Sequence, residues 1–334
     1  MRLRPQRQIA GPPQWRSPVF ARAAAPQATL RSGDNEAMTD RTAALPDIPC
    51  FLNGEMTNLR EARISVLDRG FILGDGIYEV VPVYNGKPFR YAEHMARLDR
   101  SLAELRIPNP FSPEQWRELA AQLAQAQARH AGTKPEETNQ LIYIQITRGV
   151  AMRDHVMIPG LEPTVFAMAN TMNLFSAEQR AKGFACVTAD DFRWKKAHIK
   201  STSLVGAVMA RQISADVGAL ETIMFRDGML SEAAASNVWV VKEGTVFGSP
   251  KDNLVLEGIR YGLLEELCRA SRIPFMLRRV PREEVLAADE LILSSATKEI
   301  VPVTTLDGQP VGNGRPGPIY DKLYAAYQAA KKDA

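Results

Sequence analysis

Hydrophobic and polar residues alternate most cleanly over residues 140–148. Ile142, Ile144 and Ile146 share one side there, against Leu141, Tyr143, Gln145 and Thr147, and a period of two predicts a half-buried strand. Leu98, Leu102 and Leu105, spaced by four and three, predict an amphipathic helix over 94–105, and a second helix is predicted over 113–129. Residues 51–56 read as a strand and a tight turn, since Asn53-Gly54 reaches positive φ cheaply. A second strand is predicted over 63–67, and residues 74–84 read as a helix start or bend running into a strand that Asn85-Gly86 turns back. Further strands are predicted over 164–170 and 184–190, and a helix over 203–217. Residues 221–225, the turn Asp227-Gly228 and residues 237–241 form an expected hairpin. Gly258 opens a helix over 259–271, a short buried strand at 291–293 ends in Ser294-Ser295-Ala296-Thr297, and a helix over 319–330 closes the chain. Hairpins mixed with helices predict an α+β (α/β two-domain) fold. A small N-terminal α/β domain is expected over 47–165 and a larger C-terminal one over 175–334, with the linker near 160–177.

Composition narrows the class. The 334 residues are 45% hydrophobic and 24% charged, ordinary for a globular protein, and no apolar run approaches the roughly 20 residues of a membrane span. A net charge of +3 on 41 basic and 38 acidic residues is too balanced to predict nucleic-acid binding. Cys50, Cys186 and Cys268 are scattered and odd in number; they predict neither a metal site nor a disulfide framework, and point to a reducing, cytoplasmic setting. Residues 1–33 carry six arginines and no acidic residue. That composition is one mark of an organellar transit peptide, but a disordered extension, or a start assigned upstream of the true initiator (Met38 being a candidate), outweighs it. Residues 1–46 are therefore set apart from the fold.

Several residues can carry chemistry, and each also has a plainer reading. Gly258-Ile259-Arg260 opens a helix whose free N–H groups suit an anion, although most such glycines are only turns. Ser294 to Thr297 is a hydroxyl cluster at a strand end, where capping is the commoner use. Arg97 lies near His94 on a helix, where solvation is the default. Lys200 follows Ile199 just ahead of an apolar helix; a partly desolvated lysine there suits Schiff-base chemistry, whereas Lys195 and Lys196 beside Arg193 read as a solvated basic turn. Glu232, flanked by small residues, can reach a buried ring nitrogen. Arg153 and His155 share a loop, and arginine grips carboxylates bidentately, though such a loop is more often simply exposed.

In this order the segments resemble the class IV pyridoxal-phosphate-dependent aminotransferases of fold type IV, from about Phe51 to the C-terminus. The motifs are Arg69-Gly70-Phe71, Gly74-Asp75-Gly76-Ile77-Tyr78-Glu79-Val80, His94 with Arg97-Leu98, and Thr147-Arg148-Gly149 with Arg153 and His155. Ile199-Lys200-Ser201, Glu232 with Ser236-Asn237, and Gly258-Ile259-Arg260 follow. The resemblance implies pyridoxal 5′-phosphate bound between the two domains. It implies that Lys200 holds the cofactor as an internal aldimine and shuttles the substrate proton, that Glu232 pairs with the pyridine nitrogen, and that Arg97 holds the phosphate. Ile259 and Arg260 are implied as backbone donors, and Ser236, Asn237, Ser295, Ala296 and Thr297 as cofactor neighbours. Tyr78, Arg153 and His155 match a trap for the substrate carboxylate; the last two reach over from a second subunit, which implies a homodimer. That trap resembles the D-amino-acid-specific branch, implying D-alanine and 2-oxoglutarate going to pyruvate and D-glutamate. The L-branched-chain aminotransferases, R-selective amine transaminases and aminodeoxychorismate lyases share the scaffold and are the alternatives. Ala233-Ala234-Ala235, Arg260 and Ala296 depart from the family pattern by removing hydroxyls.

Overall fold

The computed structural model describes residues 46–332, so the basic N-terminal stretch lies outside the described residues. Strand β1 (Pro49–Leu52) turns at Asn53-Gly54 into β2 (Glu55–Asn58). Asn53 (φ 49°) and Gly54 (φ 100°) take the left-handed geometry that this turn needs. The segment 63–67 does not form the expected strand: β2 already pairs with β1, and Ile64 and Val66 are exposed with no face to bury.

A short helix α1 (Arg69–Leu73) follows, capped by the Asp68 carboxylate on Gly70 N–H at 2.8 Å and ended by left-handed Gly74. A Cβ on Gly74 would meet Ser203 Oγ at 2.7 Å, so this turn needs glycine on both counts. Strand β3 (Gly76–Tyr84) and β4 (Lys87–Pro88) form the hairpin across Asn85-Gly86. Helices α2 (Tyr91–Glu104) and α3 (Pro113–His130) come next, the latter with a Ser112/Gln115 capping box, before β5 (Gln140–Thr147) and β6 (Thr164–Thr171). These six strands make one antiparallel sheet, ordered β2-β1-β6-β5-β3-β4. Ile142, Ile144 and Ile146 of β5 pack with Leu98 and Leu102 of α2 and Leu123 of α3 in one core, so the period-two and period-3.6 stripes bury each other.

The second sheet begins after helix α4 (Ala177–Lys182) with β7 (Phe184–Asp190). Helix α5 (Val205–Asp216) leads to β8 (Glu221–Arg226), β9 (Met229–Ala233), β10 (Asn237–Lys242) and β11 (Thr245–Gly248). Then come α6 (Arg260–Ala270), β12 (Phe275–Leu277), α7 (Arg282–Leu286), β13 (Glu290–Ser295), β14 (Glu299–Leu306), β15 (Gln309–Pro310) and α8 (Pro318–Lys332). Nine strands form a mixed sheet, ordered β12-β11-β10-β13-β14-β7-β8-β9, with β15 on β14. The expected hairpin between 221–225 and 237–241 does not form. Across Asp227-Gly228, β8 pairs with β9, while β10 pairs with β11 and β13. Strand β9 is almost entirely buried and lacks the alternation that marks a one-faced strand, so pattern alone does not reveal it.

The chain between β7 and α5 stitches the two sheets together. Tyr78 N–H donates to the Lys200 carbonyl at 2.9 Å, Thr202 N–H to the Gly76 carbonyl at 2.9 Å, and Ile77 bridges Ser201. No helix among the described residues is long and apolar enough to cross a membrane.

Candidate active site

A cavity of about 1180 Å³ opens where this stitched segment meets the second sheet. Tyr78, Arg97, Lys200, Glu232, Ser236, Asn237, Ile259, Arg260, Ser295, Ala296 and Thr297 all line it. Residues spread over more than 200 positions are thus brought to one cavity. Arg153 and His155 are not among its lining; both are exposed on the loop after β5.

Lys200 lies in the irregular segment between β7 and α5, not at a strand end. Its backbone is held on both sides: its N–H donates to Ser101 Oγ at 3.3 Å and its carbonyl accepts from Tyr78. The side chain is thereby aimed, and Nζ rests 4.0 Å from the centroid of the Tyr78 ring. Lys195 and Lys196 are exposed, as a basic turn predicts. Arg193 is not part of that turn. It donates to Glu232 at 2.8 Å and binds Asp191 with two nitrogens at 2.9 and 3.0 Å. A carboxylate and an arginine two residues apart, Asp191 and Arg193, were the available signal.

Glu232 sits within β9 and is 5% exposed. Besides Arg193 it accepts from Asn237 Nδ2 at 3.2 Å and Leu256 N–H at 3.1 Å. Burial pushes its carboxyl up, Arg193 pulls it down, and burial prevails at about 7. Near neutral pH the group is therefore poised to accept or share a proton. Asn237 also donates to the Leu256 carbonyl at 2.9 Å, so its amide positions the carboxylate and the chain leading to α6. Gly258 follows; a Cβ there would lie 2.1 Å from Asn237 Oδ1, so only glycine lets the start of α6 close against β10. No side chain among the described residues caps that start, which leaves the N–H groups of Ile259 and Arg260 for a ligand.

Arg97 is buried, not solvated. It forks onto Glu79 at 2.9 and 2.6 Å, with Nη1 on the Glu257 carbonyl at 3.2 Å. Burial alone would raise the Glu79 carboxyl; Arg97 and His94 overcome it and hold the group well below the usual carboxylate range. Burial also lowers His94 to about 4, so the ring is neutral at pH 7. Its Nδ1 donates to Glu79 at 2.9 Å, which leaves Nε2 as a buried acceptor with no partner among the described residues. Glu79 shares one face of β3 with Ile77, Val81 and Val83, and a carboxylate at a core-facing position was its signal.

Ser236 turns its hydroxyl away to Glu221, donating at 2.9 Å. The Arg260 guanidinium leaves the cavity wall for Tyr327 Oη at 3.1 Å, and its two Nη atoms are buried without a partner among the described residues. Ser295 Oγ at the end of β13 and Thr297 Oγ1 in the turn that follows lie 3.4 Å apart. A lysine amine, a carboxyl titrating near 7, an uncapped helix start and a carboxylate-braced arginine thus share one cavity. The set suits a flat ligand with a carbonyl, a basic ring nitrogen and a phosphate.

The chain is similar to known proteins. Residues 76–306 match the amino-transferase class IV family. The D-alanine aminotransferase of Bacillus licheniformis is 36% identical over 278 residues, 83% of this chain and 95% of that one. The D-alanine aminotransferase of Staphylococcus aureus (strain MSSA476) is 36% identical over 279 residues, 83% and 96% of the two chains. Among solved structures, the T.th. branched-chain amino acid aminotransferase with pyridoxamine 5′-phosphate superposes with a TM-score of 0.78 at 22% identity, covering 87% of this chain and 96% of that one. The Escherichia coli branched-chain amino acid aminotransferase gives 0.73 at 24% identity, covering 85% and 94%. These two likenesses establish the fold, that of the fold type IV aminotransferases. Tyr78, Arg97, Lys200, Glu232, the start of α6 and the 294–297 turn all fall inside the matched span, and this chain belongs to the class IV aminotransferases.

Proposed function

We infer that the protein transaminates D-amino acids, converting D-alanine and 2-oxoglutarate to pyruvate and D-glutamate. The observation that carries this reading is the convergence of Lys200, Glu232 and Arg97 on one cavity, in a chain 36% identical to curated D-alanine aminotransferases. Pyridoxal 5′-phosphate is the family's cofactor, and the cavity fits it. The uncapped α6 start and Arg97 answer a phosphate, Glu232 answers a ring nitrogen, and Lys200 Nζ answers an aldehyde. When bound, the cofactor supplies an electron sink for the substrate Cα. Glu232 would hold a proton at the ring nitrogen, and Lys200 Nζ would take and carry the substrate Cα proton. Arg97 and the Ile259 and Arg260 N–H groups anchor the phosphate. Asn237 orients Glu232, while Ser236, Ser295, Ala296 and Thr297 shape the walls.

Tyr78 in the cavity and Arg153 and His155 from a second subunit hold the substrate carboxylate. Fixing that group also fixes which Cα hydrogen faces Lys200. The dimer is supported by exposed apolar side chains, among them Phe71, Met152, Val156, Val205, Val208 and Met209, which a lone chain leaves to water. The test is the visible spectrum of the purified protein titrated with D-alanine and, separately, L-alanine. Loss of the cofactor band with the D-isomer alone is expected. Loss with the L-isomer alone moves the chain to the L-specific branch, and no band even after adding pyridoxal 5′-phosphate ends the reading.

The trap loop has its own support. Asp75 is gripped by Arg69 at 2.8 Å and Arg148 at 2.7 Å, and Arg69 Nη1 donates at 2.7 Å to the carbonyl of Asp154, between Arg153 and His155. Lysine at position 69 keeps a charge beside Asp75 but loses the planar fork that reaches both partners. Arg69→Lys is therefore expected to raise KM for D-alanine and for the oxo acid about tenfold, or about 1.4 kcal/mol, with the cofactor band unchanged. Steady-state kinetics check this, and an unchanged KM refutes the support.

A further inference from the structure

We propose that Lys298 is a positioning residue for the phosphate side of the cofactor cradle, acting through an ion pair with the buried Glu221. The proposal rests on the reading above that this cavity takes pyridoxal 5′-phosphate. Lys298 follows the Ser295-Ala296-Thr297 turn, and its N–H donates to Ser295 Oγ at 3.1 Å. Its Nζ reaches across to the neighbouring turn, donating to Glu221 at 2.8 Å and to Ser236 Oγ at 3.3 Å. Glu221, at the start of β8, is fully buried and also accepts from Ser236 Oγ at 2.9 Å and Ala235 N–H at 3.3 Å. One carboxylate and one ammonium thereby staple the Ala233–Asn237 loop to the Ser295–Lys298 turn, and both of these form walls of the cavity.

The staple lies where side-chain help is scarce. Ala234, Ala235 and Ala296 offer no hydroxyl to a ligand, and the Ser236 hydroxyl is committed to Glu221. An anion held on such walls depends on backbone N–H groups, and these bind well only when the backbone is already in place. The turn is pinned from its other end too. Glu299, at φ 59°, accepts from Arg180 at 2.9 Å, Gln328 at 3.1 Å and Lys331 at 2.5 Å. Lys298 supplies the matching hold on the side facing the loop.

The experiment compares pyridoxal 5′-phosphate with pyridoxal, which lacks the phosphate. Dissociation constants are measured by fluorescence quenching on the cofactor-free full-length protein, for wild type, Lys298→Met and the double variant Glu221→Gln/Lys298→Met. Lys298→Met is expected to weaken pyridoxal 5′-phosphate on the order of ten- to a hundredfold, as loss of a supporting partner does at metal sites. Pyridoxal binding should change less than about threefold, since the staple serves the phosphate side. The double variant removes both charges, so no unpaired buried carboxylate threatens its folding, and it should show the same selective loss. Equal affinity for pyridoxal 5′-phosphate in wild type and either variant overturns the proposal. So does an equal loss for both ligands, which marks a role in the fold alone. A wild-type protein that takes up neither ligand overturns the cofactor reading, and the proposal with it.

Discussion

Lys200→Ala is expected to cut kcat/KM for D-alanine by about 10⁴-fold or more, because one amine both attaches the cofactor and moves the proton. Little else should change. The Lys200 side chain rests on the Tyr78 ring at 4.0 Å, a contact worth about 0.5–2 kcal/mol. The backbone bonds that stitch this segment to β3, from Tyr78 N–H to the Lys200 carbonyl and from Thr202 N–H to the Gly76 carbonyl, do not involve the side chain. The variant should therefore fold and still bind pyridoxal 5′-phosphate without its lysine-linked visible band. A small added amine should restore part of the turnover. Kinetics with and without such an amine, alongside a thermal melt, separate the outcomes. Turnover within tenfold of wild type removes Lys200 from the chemistry.

Glu232→Gln should show the second-largest effect, in two independent readouts. An amide has the shape of the carboxylate but cannot hold a proton at the ring nitrogen, so kcat should fall about 10²- to 10⁴-fold. The stability of the cofactor-free protein should change as well. Burial raises the Glu232 carboxyl from 4.5 to about 7. Between these values the folded protein keeps a proton that the unfolded chain gives up, so stability falls as pH rises and levels off above about 7. The loss of stability across this window is on the order of a few kcal/mol. Glu232→Gln carries no titrating group there and should lack this fall. A cation placed beside Glu232 by the bound cofactor should shrink it in the wild type. Melting curves from pH 4.5 to 8 for both proteins test this; identical profiles refute the assignment.

Local patterns determined the elements whose side chains see one environment per face. The alternation at residues 140–147, the leucine spacing in 94–105, and the Asn53-Gly54 and Asn85-Gly86 turns recur in the structure because period and turn chemistry are properties of a few neighbouring residues. The ordered motifs, from Arg69 to Arg260, likewise identified the family, since they list the reacting groups whatever the path between them. The partner of each strand was not legible where both faces are buried. Strands β9, β10 and β13 show no stripe, so the pairing of β8 with β9 and of β10 with β13 depended on the whole sheet.

The state of the candidate site was decided by tertiary structure in the same way. Nothing near Glu232 in sequence indicates that Arg193 and Leu256 N–H meet its carboxylate, or that its burial outweighs that arginine. The residues around Arg97 by themselves predict only a solvated helical arginine; the inward face of β3 brings Glu79 against it. The resemblance implies Ser236 as a cofactor neighbour, while Glu221, 15 residues earlier, takes its hydroxyl. Residue identity sets what a group can do; which groups are desolvated together, and so which charges persist, follows from contacts between segments far apart in the chain.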